Sequence, residues 1–76
     1  MPRREVVKAS DCSAEDLKRL ARRAGFVLVP GGKHWKITTA KGQFVTTIPH
    51  HTRLKRELVK GIVDRLREFG AAIEIR

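Results

Sequence analysis

The residue of this chain best suited to proton chemistry is His34. It follows Gly32 and Lys33 and lies two positions before Lys36, so a residue without a side chain and two cations adjoin its imidazole. An ordinary imidazole titrates near pH ~6.5 and can take or give a proton near neutral pH. Together these four residues indicate acid–base chemistry beside a phosphate group. The alternative is that the Pro-Gly-Gly sequence before them is only a hairpin turn and His34 only a polar residue on a solvated strand.

A second group of cations lies nearer the C-terminus. We expect Arg53, Lys55 and Arg56 in the first turn of a helix that begins at about residue 54. Unpaired backbone N–H groups and the helix dipole already make this end positive, so acidic residues are preferred there. A bound phosphate would relieve the repulsion, and these residues therefore predict an anion-binding site. Exposed basic residues that are merely tolerated at this position are the alternative.

Two further histidines, His50 and His51, follow Pro49 in the loop that leads to this helix. Either could contact phosphate or transfer a proton. Three histidines and Cys12 also raise the question of a metal, but no spacing typical of metal ligands occurs and adjacent residues cannot readily share an ion. The sequence therefore predicts no metal site. Trp35 is the only Trp and Tyr is absent, so we expect recognition by charge and shape rather than by base stacking.

Length and charge indicate the kind of partner. Seventy-six residues form one domain (1–76), near the lower size limit for a fold with a single apolar core. Seventeen Lys and Arg against eight Asp and Glu give a net charge of +9, so nucleic acid is the expected partner. Cations that only solvate the surface are the alternative, and a membrane surface is a weaker one. One cysteine, no apolar leader and no membrane-spanning stretch make the cytosol the expected compartment.

The rest of the chain supplies the elements that position these residues. Ser13-Ala14-Glu15-Asp16 is a capping-box pattern, and the apolar spacing after it predicts a helix that ends at Gly25. Runs of β-branched and aromatic residues predict strands over 26–29, 33–39 and 44–48, and an apolar stripe predicts a closing helix up to Gly70. The core then spans 13–70. Residues 1–12 are expected to form a basic N-terminal tail or entry segment, and residues 71–76 a tail or a short strand.

The order of these elements is α-β-β-β-α. The sequence therefore predicts an α+β fold, in which a three-stranded antiparallel sheet carries both helices on one face and leaves the other face open. Side chains alternate along a strand, so if Trp35 and Ile37 enter the core, the open face receives their neighbours His34, Lys36 and Thr38. A reaction at the protein surface requires that the His34 side chain lies on this open face.

The chain resembles the HicA family of bacterial ribonuclease toxins, small proteins with an α-β-β-β-α fold like that of double-stranded-RNA-binding domains. The resemblance covers residues 13–70, and its motifs are fairly specific in this order and spacing. The motifs are Ala24-Gly25-Phe26 at the end of the first helix, Gly32-Lys33-His34, Ile48-Pro49-His50-His51 and the closing helix. The family usually has Ser or Thr where this chain has Lys33. Its pattern of proline, any residue, histidine favours His51 over His50.

The resemblance implies an mRNA interferase, the toxin of a type II toxin–antitoxin system, in the cytoplasm. The family's catalytic histidine falls on His34, which we expect to take the proton of a ribose 2′-hydroxyl so that the oxygen attacks the neighbouring phosphorus. No second proton donor is clearly placed, so the sequence predicts a slow endoribonuclease without metal or cofactor. The implied protein partner is a HicB-type antitoxin that covers His34. The residues expected to bind RNA are Gly32, Lys33, Lys36, His51, Arg53, Lys55 and Arg56.

Two other functions fit the same residues. A non-catalytic RNA-binding module of this fold would use the cations to hold a duplex by its shape and its phosphates. A structural or interaction protein would use the open sheet face or a sheet edge to join another chain, although the net charge argues against it. Cleavage of RNA separates a nuclease from the first alternative, and binding that survives high salt without RNA affinity identifies the second.

Overall fold

The computed structural model describes residues 5–50 and 53–76. Two helices and three strands follow the predicted α-β-β-β-α order, and one short strand precedes them and another follows them. The α+β class and the three-stranded antiparallel sheet, with strand order β2-β3-β4, are confirmed. The elements are β1 (Glu5–Val7), α1 (Ala14–Arg23), β2 (Val27–Pro30), β3 (His34–Thr38), β4 (Phe44–Pro49), α2 (Arg56–Glu68) and β5 (Ile73–Ile75).

Helix α1 begins where the capping box predicts. The Asp16 backbone N–H donates to the Ser13 hydroxyl at 3.2 Å, and the Ser13 backbone N–H donates to the Asp16 carboxylate at 3.1 Å. Two of the N–H groups that a helix start leaves unpaired are thereby satisfied. The helix ends before Gly25, whose φ of 96° is a left-handed conformation that glycine adopts without strain.

Both helices cover one face of the sheet. Helix α1 contacts β2 and β4, and α2 contacts β4. Ile37, Val45 and Ile48 of the sheet are completely buried in one core cluster with apolar residues of both helices. On the other face Val27, Val29 and Phe44 are exposed, although they are large and apolar. The open face is therefore partly apolar.

Strand β3 alternates as predicted over most of its length. Ile37 is buried, Trp35 is half-buried, and His34 and Lys36 are exposed. Thr38 was also predicted on the open face, as an outward residue, but it is only 8% exposed. It lies opposite Val27 on one side and Phe44 on the other, so its two larger cross-strand neighbours shield it.

The two ends of the chain meet in a second small sheet. The prediction of a tail over residues 1–12 is wrong for Glu5–Val7, because this segment pairs in parallel with Ile73–Ile75. Its partner is almost the whole chain away, so no local period reveals the pairing. At the C-terminus, the structure has the short strand that was one of the two alternatives. Val7 and Ile73 from this pair join the buried core.

Helix α2 starts later than predicted. Lys55 is its N-cap residue and makes no side-chain capping bond, and Arg56 is its first helical residue. Arg53 therefore precedes the helix, and its predicted place in the first turn is wrong. The buried stripe consists of Val59, Ile62, Val63 and Leu66. Among the described helices, none is long and apolar enough to cross a membrane.

Candidate functional site

The turn between β2 and β3 fixes the position of His34. The Gly31 backbone N–H donates to the carbonyl oxygen of His34 at 3.0 Å, which closes the turn directly on this residue. A Cβ atom on Gly31 would lie 2.6 Å from the same oxygen, so glycine is required there for steric reasons. Gly32 has open space around its Cα. On the other side, His34 lies opposite Pro49 of β4. The exposed His34 side chain therefore stands at the end of the sheet.

His34 borders an open hollow at this end of the sheet, which we call the turn hollow. Its volume is 550 Å³. The turn hollow brings together three of the residues predicted from the sequence, Gly32, Lys33 and His34. It also contains a residue that the sequence did not favour. The complete lining is Gly31, Gly32, Lys33, His34, Pro49 and His50.

A second hollow, which we call the helix hollow, lies between His34 and the start of α2. Its volume is 460 Å³, and it shares His34 and Pro49 with the turn hollow. It adds Arg53 and Lys55, two members of the predicted anion-binding site, to the surroundings of the imidazole. The complete lining is His34, Pro49, Arg53, Leu54, Lys55 and Leu58.

Not all of the predicted residues come together here. Lys36 is exposed in β3, opposite Val29 and Thr47, and it borders neither hollow. Arg56 is exposed in the first turn of α2 and also borders neither hollow. His51 lies outside the described residues. The structure thus assembles His34 with Gly32, Lys33, Arg53 and Lys55.

The two hollows are cationic. No acidic residue borders either of them in the described part of the chain. On the helix side, the carboxylate of Asp11 lies 3.6 Å from the Arg53 guanidinium, and both side chains are exposed. An exposed ion pair of this kind is weak and screened by salt, so Arg53 is still able to attract a phosphate.

His50 is the histidine that the family pattern did not favour, although the sequence left it open as a phosphate contact or a proton-transfer group. Its backbone N–H donates to the Lys33 carbonyl oxygen at 3.4 Å, and its ring lies 5.7 Å from the Trp35 ring at 54° between planes. The family pattern favoured His51 and gave no reason to pair His50 with His34. The register of the predicted hairpin was the available signal, because a pairing of residue 34 with 49 puts residue 50 beside residue 33.

The chemistry open to this site is phosphate binding and proton transfer. Among residues 5–50 and 53–76, no three His, Cys, Asp or Glu side chains are grouped so that they could hold a metal ion. Cys12 is not a candidate nucleophile, because burial, and after it the carboxylates of Asp16 and Asp11, raises the pKa of its thiol to about 11. The imidazoles at the hollows are those of His34 and His50, and the cationic side chains there are those of Lys33, Arg53 and Lys55.

No family model matches this chain, and neither a curated protein nor a solved structure matches it. The case for a function is therefore made from the residues around His34, from the charge of the chain and from the sequence resemblance.

Proposed function

We propose that this chain is a slow endoribonuclease that cleaves mRNA without a metal ion and acts as the toxin of a type II toxin–antitoxin pair in the cytoplasm. One observation carries the proposal. His34 is exposed where two cationic hollows meet, and neither hollow contains a carboxylate among the described residues. A histidine in this setting has room for a ribonucleotide linkage and groups that attract its phosphate.

In this reaction His34 acts as the general base. It takes the proton of a ribose 2′-hydroxyl, and the oxygen then attacks the adjacent phosphorus. Lys33 in the turn hollow and Lys55 in the helix hollow stabilise the negative charge that develops on the phosphoryl oxygens. The products are a 2′,3′-cyclic phosphate and a 5′-hydroxyl. DNA has no 2′-hydroxyl, so it is not a substrate.

RNA binding extends on both sides of the reacting phosphate. The turn hollow holds the RNA strand through Gly32 and Lys33, and the helix hollow holds it through Arg53 and Lys55. Lys36 on the open sheet face, Arg56 and His51 supply further contacts to the backbone. The arrangement fits a fold like that of double-stranded-RNA-binding domains, in which shape and phosphate contacts dominate recognition.

The proposed protein partner is a HicB-type antitoxin that covers His34. The resemblance to HicA supports this partner, and the structure adds that both hollows are open, so one protein surface can close them together. With a net charge of +9, the chain should attract an acidic partner rapidly. Induced expression should arrest growth, and co-expression of the adjacent gene should restore it. Arrest that no neighbouring gene relieves would contradict the toxin–antitoxin part of the proposal.

The second candidate is an RNA-binding module without catalysis. The observations in its favour are that cationic side chains line both hollows and would attract phosphate whether or not a proton moves, and that Lys33 stands where the family usually has a hydroxyl. The two functions differ in a single outcome, which is whether bound RNA is cut.

A cleavage assay tests the proposal. The purified protein is incubated with a labelled mRNA fragment in EDTA, beside the same sequence made as DNA. We expect slow cleavage of the RNA alone, and a loss of roughly 10²- to 10⁴-fold in rate for His34→Ala. Lys41→Ala is the matched control for lost charge, because it removes an exposed cation from the turn at the other end of β3. Equal rates for His34→Ala and wild type would refute the role of His34.

RNA affinity is measured in parallel. Lys33→Ala and Lys55→Ala should weaken binding and reduce its salt dependence, whereas Lys41→Ala should change both less. RNA that shifts on a gel and remains intact with wild type would favour the non-catalytic module.

A further inference from the structure

We infer that His50 is the general acid of the proposed reaction and gives its proton to the 5′-oxygen that leaves. The inference rests on the proposed nuclease function and assigns to His50 a proton-transfer role that the sequence left open between His50 and His51. Its basis is the juxtaposition of His50 and His34 around one hollow, together with the anchoring of the His50 ring on Trp35.

The backbone places the two histidines at the same end of the sheet. His34 is paired with Pro49, and the hydrogen bond from the His50 N–H to the Lys33 carbonyl continues this pairing by one residue. Both histidines line the turn hollow, together with Lys33 and the two glycines of the turn. His34 and His50, on two neighbouring chain segments, therefore border the same hollow.

The Trp35 ring restricts the His50 imidazole. Their centroids are 5.7 Å apart and the planes are inclined by 54°, which is a tilted aromatic contact. Trp35 is itself half-buried, and the Lys18 ammonium lies 4.4 Å from its centroid. Proton transfer in a transition state requires a donor that is held in place. A ring that merely packs on the surface would have no effect on the leaving group, and the experiment below separates these two roles.

The proposed step is balanced in atoms and protons. A bond forms between the 2′-oxygen and phosphorus while the bond between phosphorus and the 5′-oxygen breaks. The 2′-hydroxyl proton goes to His34, and the proton of the His50 imidazolium goes to the departing 5′-oxygen. The products are a 2′,3′-cyclic phosphate and a 5′-hydroxyl, and no oxidant, metal or other reactant is needed. When water later hydrolyses the cyclic phosphate, the two histidines exchange roles. His50 takes a proton from the water, and His34 gives its proton to the departing 2′-oxygen.

The groups around His50 favour a phosphate between the histidines. Lys33 and His34 face the same hollow, Lys18 lies against the Trp35 ring, and Arg53 and Lys55 border the adjacent helix hollow. All of these groups are cationic or become cationic on protonation. A base that must be neutral and an acid that must be charged give a bell-shaped dependence of the rate on pH.

The test uses an RNA in which sulfur replaces the bridging 5′-oxygen at the bond that wild type cleaves. A thiolate forms near pH ~8.5 and leaves without a proton, whereas an alkoxide does not. His50→Gln retains a polar side chain and removes the proton that titrates. We expect this variant to lose roughly 10²- to 10⁴-fold in rate on the oxygen substrate and under ~10-fold on the sulfur substrate. His34→Ala should be slow on both, and Lys41→Ala should resemble wild type on both.

The possible outcomes are distinct. If His50→Gln is equally slow on both substrates, or as fast as wild type on the oxygen substrate, the inference about His50 is overturned and the nuclease function stands. If His51→Gln shows the oxygen-specific loss instead, His51 is the acid and the inference is also overturned. If wild type cleaves no RNA, the proposed function fails and the inference fails with it.

A measurement that does not depend on RNA cleavage checks the contact between His50 and Trp35. Trp35 is the only tryptophan, and a protonated imidazole in contact with an indole quenches its fluorescence. Wild type should therefore show a pH-dependent step in Trp35 fluorescence, and His50→Gln should lose it. A step that persists unchanged in His50→Gln would overturn the contact on which the inference depends.

Discussion

Gly31 and Gly32 are adjacent in the turn before His34, and only Gly31 has no room for a methyl group. A Cβ on Gly31 would lie 2.6 Å from the His34 carbonyl oxygen, and this contact must open by about 0.8 Å to reach an ordinary 3.4 Å. Overpacking of this kind costs about 1 to 3 kcal/mol, and the 3.0 Å hydrogen bond between the same residues is strained as well. Gly31→Ala should therefore lower the free energy of unfolding by about 2 kcal/mol.

Gly32→Ala is the matched control. No atom lies within 4 Å of a Cβ built there, and neither glycine has a positive φ. This substitution should leave the stability unchanged or raise it by up to about 1 kcal/mol, because alanine restricts the unfolded chain. In a domain of this size, 1 kcal/mol shifts Tm by about 4 to 8 °C. A melting experiment should thus separate the two variants by at least about 8 °C.

The same pair of variants bears on the site. Because the Gly31 turn closes on His34, Gly31→Ala should also displace the imidazole and slow RNA cleavage under conditions where the variant is folded. Circular dichroism at the assay temperature identifies those conditions. Melting temperatures of Gly31→Ala and Gly32→Ala within about 2 °C of each other would refute the steric reasoning about the turn.

The residues around the start of α1, Cys12, Ser13 and Asp16, give three more expectations. Burial, and after it the charges of Asp16 and Asp11, raise the pKa of the Cys12 thiol to about 11. Iodoacetamide at pH 8 should therefore label the native protein far more slowly than the urea-unfolded protein, and equal labelling rates would contradict this. Ser13→Ala should cost about 1 kcal/mol in urea denaturation, and an unchanged midpoint would argue against the capping box. The backbone hydrogen bond of Ser13, and after it the side-chain hydrogen bond, lower the pKa of Asp16. Ionised Asp16 therefore adds to the free energy of unfolding above about pH 4, and this stabilisation is lost as pH falls through the folded-state pKa. Asp16→Asn should reduce that acid dependence, and an identical acid profile would contradict it.

Local patterns were sufficient to predict the middle of the fold. The capping box at Ser13 and the left-handed Gly25 define α1, because both act within one or two turns of helix. Alternation in β3 predicted that Ile37 is buried and that His34 and Lys36 are exposed, because the period of a strand is independent of its partners.

Long-range pairing could not be predicted in the same way. Glu5–Val7 becomes a strand only because Ile73–Ile75 lies beside it, and three residues are too few to show a period. Thr38 has the pattern of an outward residue, yet Val27 and Phe44 on the adjacent strands shield it. Both outcomes depend on neighbouring strands, which the pattern within a single segment does not show.

In the candidate site, too, local patterns predicted some features and long-range packing determined the others. The exposed position of His34 followed from alternation alone. Its proximity to Arg53 and Lys55 depends on how α2 packs on β4, which no local pattern in the sequence predicts. The position of His50 depends on the register between β3 and β4, and the sequence pattern directed attention to His51 instead.

The most direct test of the central claim is the chemistry of the cut ends. RNA treated with the purified protein in EDTA is analysed by mass spectrometry for its new termini, with wild type and His34→Ala in parallel. The proposal predicts 2′,3′-cyclic phosphate and 5′-hydroxyl ends with wild type, and roughly 10²-fold or greater loss of these products with His34→Ala. Equal amounts of these products from the two proteins, or ends that carry a 5′-phosphate, would contradict a reaction in which His34 activates the 2′-hydroxyl.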